Sequence, residues 1–223
     1  MSQKRLSKSV LASRLSSFKR NHKLDSLKLL YLFVVILLIG AIFSAVVTKD
    51  TRWMDWHFSR LGEGGNISSL IFNITLLISA MVMFILALSL SDNISLITSS
   101  VNINIKRAEM IVYRSLSVVT LCLIGVAFFP FDRFPVIHNI CGYSMLFIIL
   151  ALCLCVQNLL PIFSKNFYIY SRLVILCVII CYILFIILSV ISLLTVEFII
   201  FLSLFGWFLL FIKGIRECTY CDK

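Results

Sequence analysis

The sequence predicts an all-α, polytopic membrane protein with six transmembrane helices and both termini in the cytoplasm. Three observations carry this reading. First, 61% of the 223 residues are hydrophobic and 13% are charged, against about 45–50% and ~25% in a soluble domain. Second, the apolar residues gather into runs long enough to cross a hydrocarbon core of roughly 30 Å, which takes about 20 helical residues. Third, those runs are continuous, whereas strands of a membrane barrel alternate apolar and polar positions. Disorder is excluded by the hydrophobicity. A small disulfide scaffold is excluded by length and by the position of most cysteines inside apolar runs.

Residues 1–28 form a basic, Ser-rich arm. Leu6, Val10, Leu11, Leu15 and Phe18 are scattered through it, so it reads either as a solvated tail or as a short interfacial helix. The first span covers residues 29–47. Its apolar run is longer than a signal-peptide core, and no small-residue cleavage site follows, so it reads as a retained anchor. The other spans are residues 67–90, 111–129, 136–160, 173–191 and 197–212, with a tail at 213–223. Residues 173–212 as one helix would measure about 60 Å, twice the bilayer core. The break is placed at 192–196, where Ser192, Thr195 and Glu197 cluster.

Lys and Arg counts orient the chain. Sixteen of the twenty lie on one side: eight in the arm, then Lys106, Arg107, Arg114, Lys165, Arg172, Lys213, Arg216 and Lys223. Lys49, Arg52, Arg60 and Arg133 lie on the other. This puts both ends inside a plasma membrane. The net charge of +10 then reads as an insertion signal and an attraction for anionic lipid at the cytoplasmic face. It does not point to nucleic acid, since no loop is large enough to grip a duplex.

The span centres hold no Asp, Glu, Lys, Arg or His. Such groups cost about 2.5–3.5 kcal/mol on insertion scales and mark proton relays and ion pathways, so their absence argues against a pump. Asn73, Thr75, Ser79, Ser144, Gln157 and Asn158 remain as hydrogen-bonding groups between helices. Cys122, Cys141, Cys153, Cys155, Cys177 and Cys181 read as small hydrophobes. Cys218 and Cys221 form a C-x-x-C that suits a zinc half-site or a redox pair.

The outer loops carry the chemistry. The loop at 49–66 holds Asp55, His57, Arg60 and Glu63, with Trp53, Trp56 and Phe58 suited to a membrane interface. Gly62, Gly64 and Gly65 supply a turn, and Asn66 is placed to cap the second span. The loop at 129–135 contains Asp132 and Arg133 between two prolines, and His138 opens the fourth span. Three readings of this set stay open. Carboxylates and histidines suit a metal that activates water. Arg60, Arg133 and the histidines suit a phosphate or lipid head group. Alternatively the charges pair with one another at the interface. The close ligand spacing of helical zinc enzymes is missing. Haem is disfavoured because both histidines sit at the rim without a second His on either helix. No cofactor is therefore implied.

Ser59-Arg60-Leu61-Gly62, Phe72-Asn73, Phe129-Pro130 and His138 resemble the bacterial and archaeal six-helix family called domain of unknown function 998. That family is distantly similar to eukaryotic six-helix proteins linked to autophagy modulation and GPI-anchor lipid remodelling. The resemblance spans residues 29–212 and implies six helices with an internal N-terminus. It implies no reaction. The seven-helix ceramidase superfamily fits poorly, because its His-x-x-x-His pair is missing here. The sequence thus points to a membrane protein that is more readily non-enzymatic, binding lipid head groups at its outer face through Asp55, His57, Arg60, Glu63, Asn73, Asp132, Arg133 and His138. A metal-dependent lipid hydrolase using Asp55, His57, Asp132 and His138 is the alternative, and a facilitative transporter the third.

Overall fold

The computed structural model describes residues 25–49, 53, 57–97, 103–160 and 163–221. Six helices long and apolar enough to cross a membrane account for most of them, which makes this a multi-pass membrane protein. Most of the arm at 1–28, Asp55 and the Cys221 side chain lie outside the described residues.

Helix α1 spans Ser26–Val47. The Asp25 carboxylate accepts from the Leu27 amide at 3.0 Å and caps it, satisfying one of the first-turn donors. The helix is apolar all round, with Ile39, Ile42, Phe43 and Val46 exposed, as lipid contact requires. Helix α2, Ile67–Ile97, starts where expected. Asn66 accepts from the Ser69 amide at 2.9 Å. It continues seven residues past the expected end at 90. The polar residues there find partners on neighbouring helices: Ser91 donates to Glu109 at 3.0 Å and Asn93 to Ser26 at 2.8 Å.

Helix α3 spans Ile103–Phe128 and begins earlier than expected, because its charged first turns can project beyond the hydrocarbon. Helix α4, Pro135–Leu159, has its proline in the first turn, where the missing N–H costs nothing. Helix α5 spans Lys165–Tyr182 and loosens into a π-turn at Ile183–Ile187. Helix α6 spans Leu193–Cys221. The break between them is real but lies about one turn before the expected 192–196. Ser192 and Thr195, read as a break from sequence, begin α6 instead. The Ser192 hydroxyl accepts from the Thr195 amide at 3.2 Å and caps the helix.

Consecutive helices pack side by side, and α6 returns to α1 and α2 to close the bundle. Close approach between α1 and α2 rests on small residues. Ser44 and Ser68, both buried, each donate to the other's carbonyl oxygen at 2.9 Å. One turn away, Gly40 faces Thr75 with no space for a Cβ. Among the described side chains, none of the polar span residues makes the expected bond to another spanning helix: Asn73 turns to the Gly62 carbonyl. Thr75 donates back to Ile71 of its own helix at 2.8 Å. Asn158 is exposed at the end of α4 and bonds to no described residue.

Candidate functional site

The site is built where two loops meet one end of the bundle. His57 precedes a 3-10 turn at Phe58–Gly62. Its backbone is extended, which turns the ring inward, and the residue is buried. Its Nδ1 lies 2.8 Å from the Ser59 hydroxyl. Its Nε2 lies 3.9 Å from Glu63 Oε1, too far for a hydrogen bond. Burial, His138 and Arg60 together hold the His57 pKa below 6.5, with burial the largest cause. All three act in the same direction and favour the neutral ring.

His138 sits in the first turn of α4 and is also buried. Its Nδ1 donates to the Phe129 carbonyl at 2.8 Å. That carbonyl lies just past the end of α3 and lacks its helical donor, because the Arg133 amide turns to the Pro130 carbonyl instead, at 3.2 Å. Phe131, in the turn between, packs edge-on to both imidazoles, with centroids 5.4 Å from His57 and 5.9 Å from His138. The two histidines therefore converge, as the sequence could not show.

The other predicted residues divide differently. Asn73 donates to the Gly62 carbonyl at 3.2 Å. Asp132 accepts from the Gly64 amide at 3.2 Å. Arg133 reaches over Gly65, whose added Cβ would meet its Nη2 at 3.1 Å. Gly64 and Gly65 have φ of 83° and 61°, the left-handed turn that glycine supplies. These contacts tie the loops to each other and to α2. Arg60 stands close enough to His57 to affect its titration, and Glu63 flanks the same ring. Asp55 lies outside the described residues. Among the described residues, no three of His, Cys, Asp and Glu are grouped to hold a metal ion.

Glu197 is the residue that sequence reasoning missed. It lies in the second turn of α6, and its Oε2 accepts from the Phe58 amide at 2.7 Å. The signal was visible, since Glu197 is the sole ionisable side chain of residues 173–212 apart from Cys and Tyr. As the first residue of the expected last span, 197–212, it reads as an end-of-helix group, and nothing in the sequence shows that it meets the loop at Phe58.

His57, His138 and Glu197 all line a cavity of about 600 Å³, inside the ~300–1,000 Å³ range of small-molecule sites. Its wall follows α1 from Ala41 to Leu30 and α6 from Glu197 to Phe208. Eleven helical steps of 1.5 Å make this about 16 Å deep, roughly one leaflet of a ~30 Å core. The deep wall is apolar, with Phe33, Leu37, Leu76 and Phe205. Polar groups collect at the loop end.

No protein-family model, curated protein or solved structure matches the chain.

Proposed function

We propose that the protein binds an amphipathic lipid, head group at the outer face and hydrocarbon chain in the bundle, without transforming it. The observation that supports this most directly is the cavity itself: polar at the histidine end, apolar for about one leaflet beyond. The excess of Lys and Arg on one side of the chain supports both termini in the cytoplasm and the histidine end outside, in a plasma membrane. The short motifs resembling the domain of unknown function 998 family fit this six-helix reading.

Gly142 supplies the test. It lies in the cavity wall, and a Cβ added there meets nothing within 4 Å. Gly142→Phe should fill the cavity without breaking the bundle. Native mass spectrometry of the purified protein is expected to show bound lipid in the wild type and loss of it in the variant. His57→Ala with His138→Ala should weaken retention as well. Equal retention by wild type and Gly142→Phe, with equal helix content by circular dichroism, would sink the proposal.

A further inference from the structure

We infer that the head group bound at the histidine end is a primary ammonium rather than a phosphate. This deepens the lipid-binding reading and rests on it. Three observations lead there.

The first is what the wall contains. Glu197, His57 and His138 line the cavity, and no described Lys or Arg does. Phosphate sites are built from Arg, Lys and clustered N–H donors. Arg133 reaches over Gly65, and neither it nor Arg60 is part of the wall.

The second is which atoms are already used. Glu197 takes the Phe58 amide on Oε2. Its other oxygen bonds to no described residue, and no described Lys, Arg or His pairs with it. His138 spends Nδ1 on the Phe129 carbonyl. Because a carbonyl only accepts, Nδ1 carries the hydrogen, and a neutral ring then keeps a lone pair on Nε2. The site therefore offers two acceptors, and a ligand with N–H donors satisfies both. An ionisable side chain within a membrane-crossing helix is also costly to keep there without a role.

The third is the aromatic lining. Phe58, Phe131, Tyr143 and Tyr182 share the wall. Their ring faces, negative at the centre, attract cations and repel anions.

The ligand class is thus a single-chain or chain-inserting amphiphile with an R–NH3+ head. Its N–H bonds go to the second oxygen of Glu197 and to His138 Nε2, and its chain follows α1 and α6 inward.

The test uses the full-length protein in a neutral glycoside detergent, with three probes of equal chain length: dodecylammonium, dodecyltrimethylammonium and dodecyl phosphate. The readout is the rise in unfolding midpoint with probe concentration. Dodecylammonium is expected to act at about tenfold lower concentration than either rival, the size of one charge-assisted hydrogen bond. That preference should vanish in Glu197→Gln, whose amide oxygen can still accept from Phe58. His138→Phe, which removes the second acceptor, should reduce it too. All shifts should vanish in Gly142→Phe.

Two outcomes overturn the inference alone. One is equal or stronger action by the phosphate or quaternary probe, abolished by Gly142→Phe. The other is an unchanged preference in Glu197→Gln. Neither leaves the cavity in doubt. Probe shifts that ignore Gly142→Phe would overturn both this inference and the lipid-binding reading beneath it. Wild-type selectivity decides the matter even if a variant does not fold. Lipids extracted with the protein separate a membrane amine from a soluble one.

Discussion

His138 holds the carbonyl of Phe129 at 2.8 Å across the turn that joins α3 to α4. One contact thereby closes the end of one helix, opens the next and sets the tautomer of a cavity-lining ring. The consequence is measurable. His138→Leu leaves the Phe129 carbonyl without its donor, and an unmet group of this kind costs about 1–3 kcal/mol. The free energy of unfolding in detergent should fall by that amount, and His138→Asn, which keeps a donor, should recover part of it. If His138→Leu is as stable as wild type, the turn does not depend on this bond.

A similar dependence joins Gly62 and Asn73. Asn73 donates to the Gly62 carbonyl at 3.2 Å, while a Cβ on Gly62 would lie 2.6 Å from Asn73 Oδ1. Gly62→Ala must therefore push the amide away and break the bond that Asn73→Ala removes outright. Each single variant should lose roughly 1 kcal/mol, near the average for membrane hydrogen bonds. The double variant should lose little more than either, since neighbouring groups that share one contact are not additive. Strict additivity in a denaturant-based cycle would show that the two act separately.

The helices were legible because hydrocarbon thickness sets a length that apolar runs must meet. What the sequence hid was convergence. His57 and His138 are 81 positions apart, and their shared partner, Phe131, looked like one more aromatic at the interface. Ser59-Arg60-Leu61-Gly62, Phe72-Asn73, Phe129-Pro130 and His138 were read as separate motifs, and the structure shows two bonds linking them, Asn73 to Gly62 and His138 to Phe129. Glu197 was misjudged for a local reason. Ser192, expected in a break, caps α6 through its hydroxyl, so the helix starts four residues before the expected 197 and Glu197 lies in its second turn and in the cavity wall.

The titration of His57 gives a pH signature with a definite sign. Its pKa in the fold lies below the 6.5 of an unperturbed imidazole, chiefly through burial. Between those two values the unfolded chain binds more protons than the folded one, so stability rises with pH through that window. The contribution is complete above pH 6.5 and is lost as pH falls toward the lowered value. A plot of unfolding midpoint against pH should be steeper for wild type than for His57→Asn just below pH 6.5, with the two curves parallel above it. Parallel curves throughout would place the burial of His57 in error.

Level with the deep end of the cavity but outside its wall, Trp207 and Ser171 form a second pair that can be tested. Both residues are fully buried. The Trp207 indole N–H donates to the Ser171 hydroxyl at 2.9 Å, and that hydroxyl donates onward to the Phe167 carbonyl at 2.9 Å. The indole also stacks on Phe211, with centroids 5.0 Å apart. Ser171→Ala leaves the ring in place but strips its N–H of an acceptor, at a cost of about 1–3 kcal/mol. Trp207→Phe removes the donor along with part of the ring, which costs packing yet leaves no orphaned N–H. Adding Ser171→Ala to Trp207→Phe should therefore cost less than Ser171→Ala alone. If Ser171→Ala costs the same with and without the indole, the bond contributes nothing and packing against Phe211 alone holds the tryptophan.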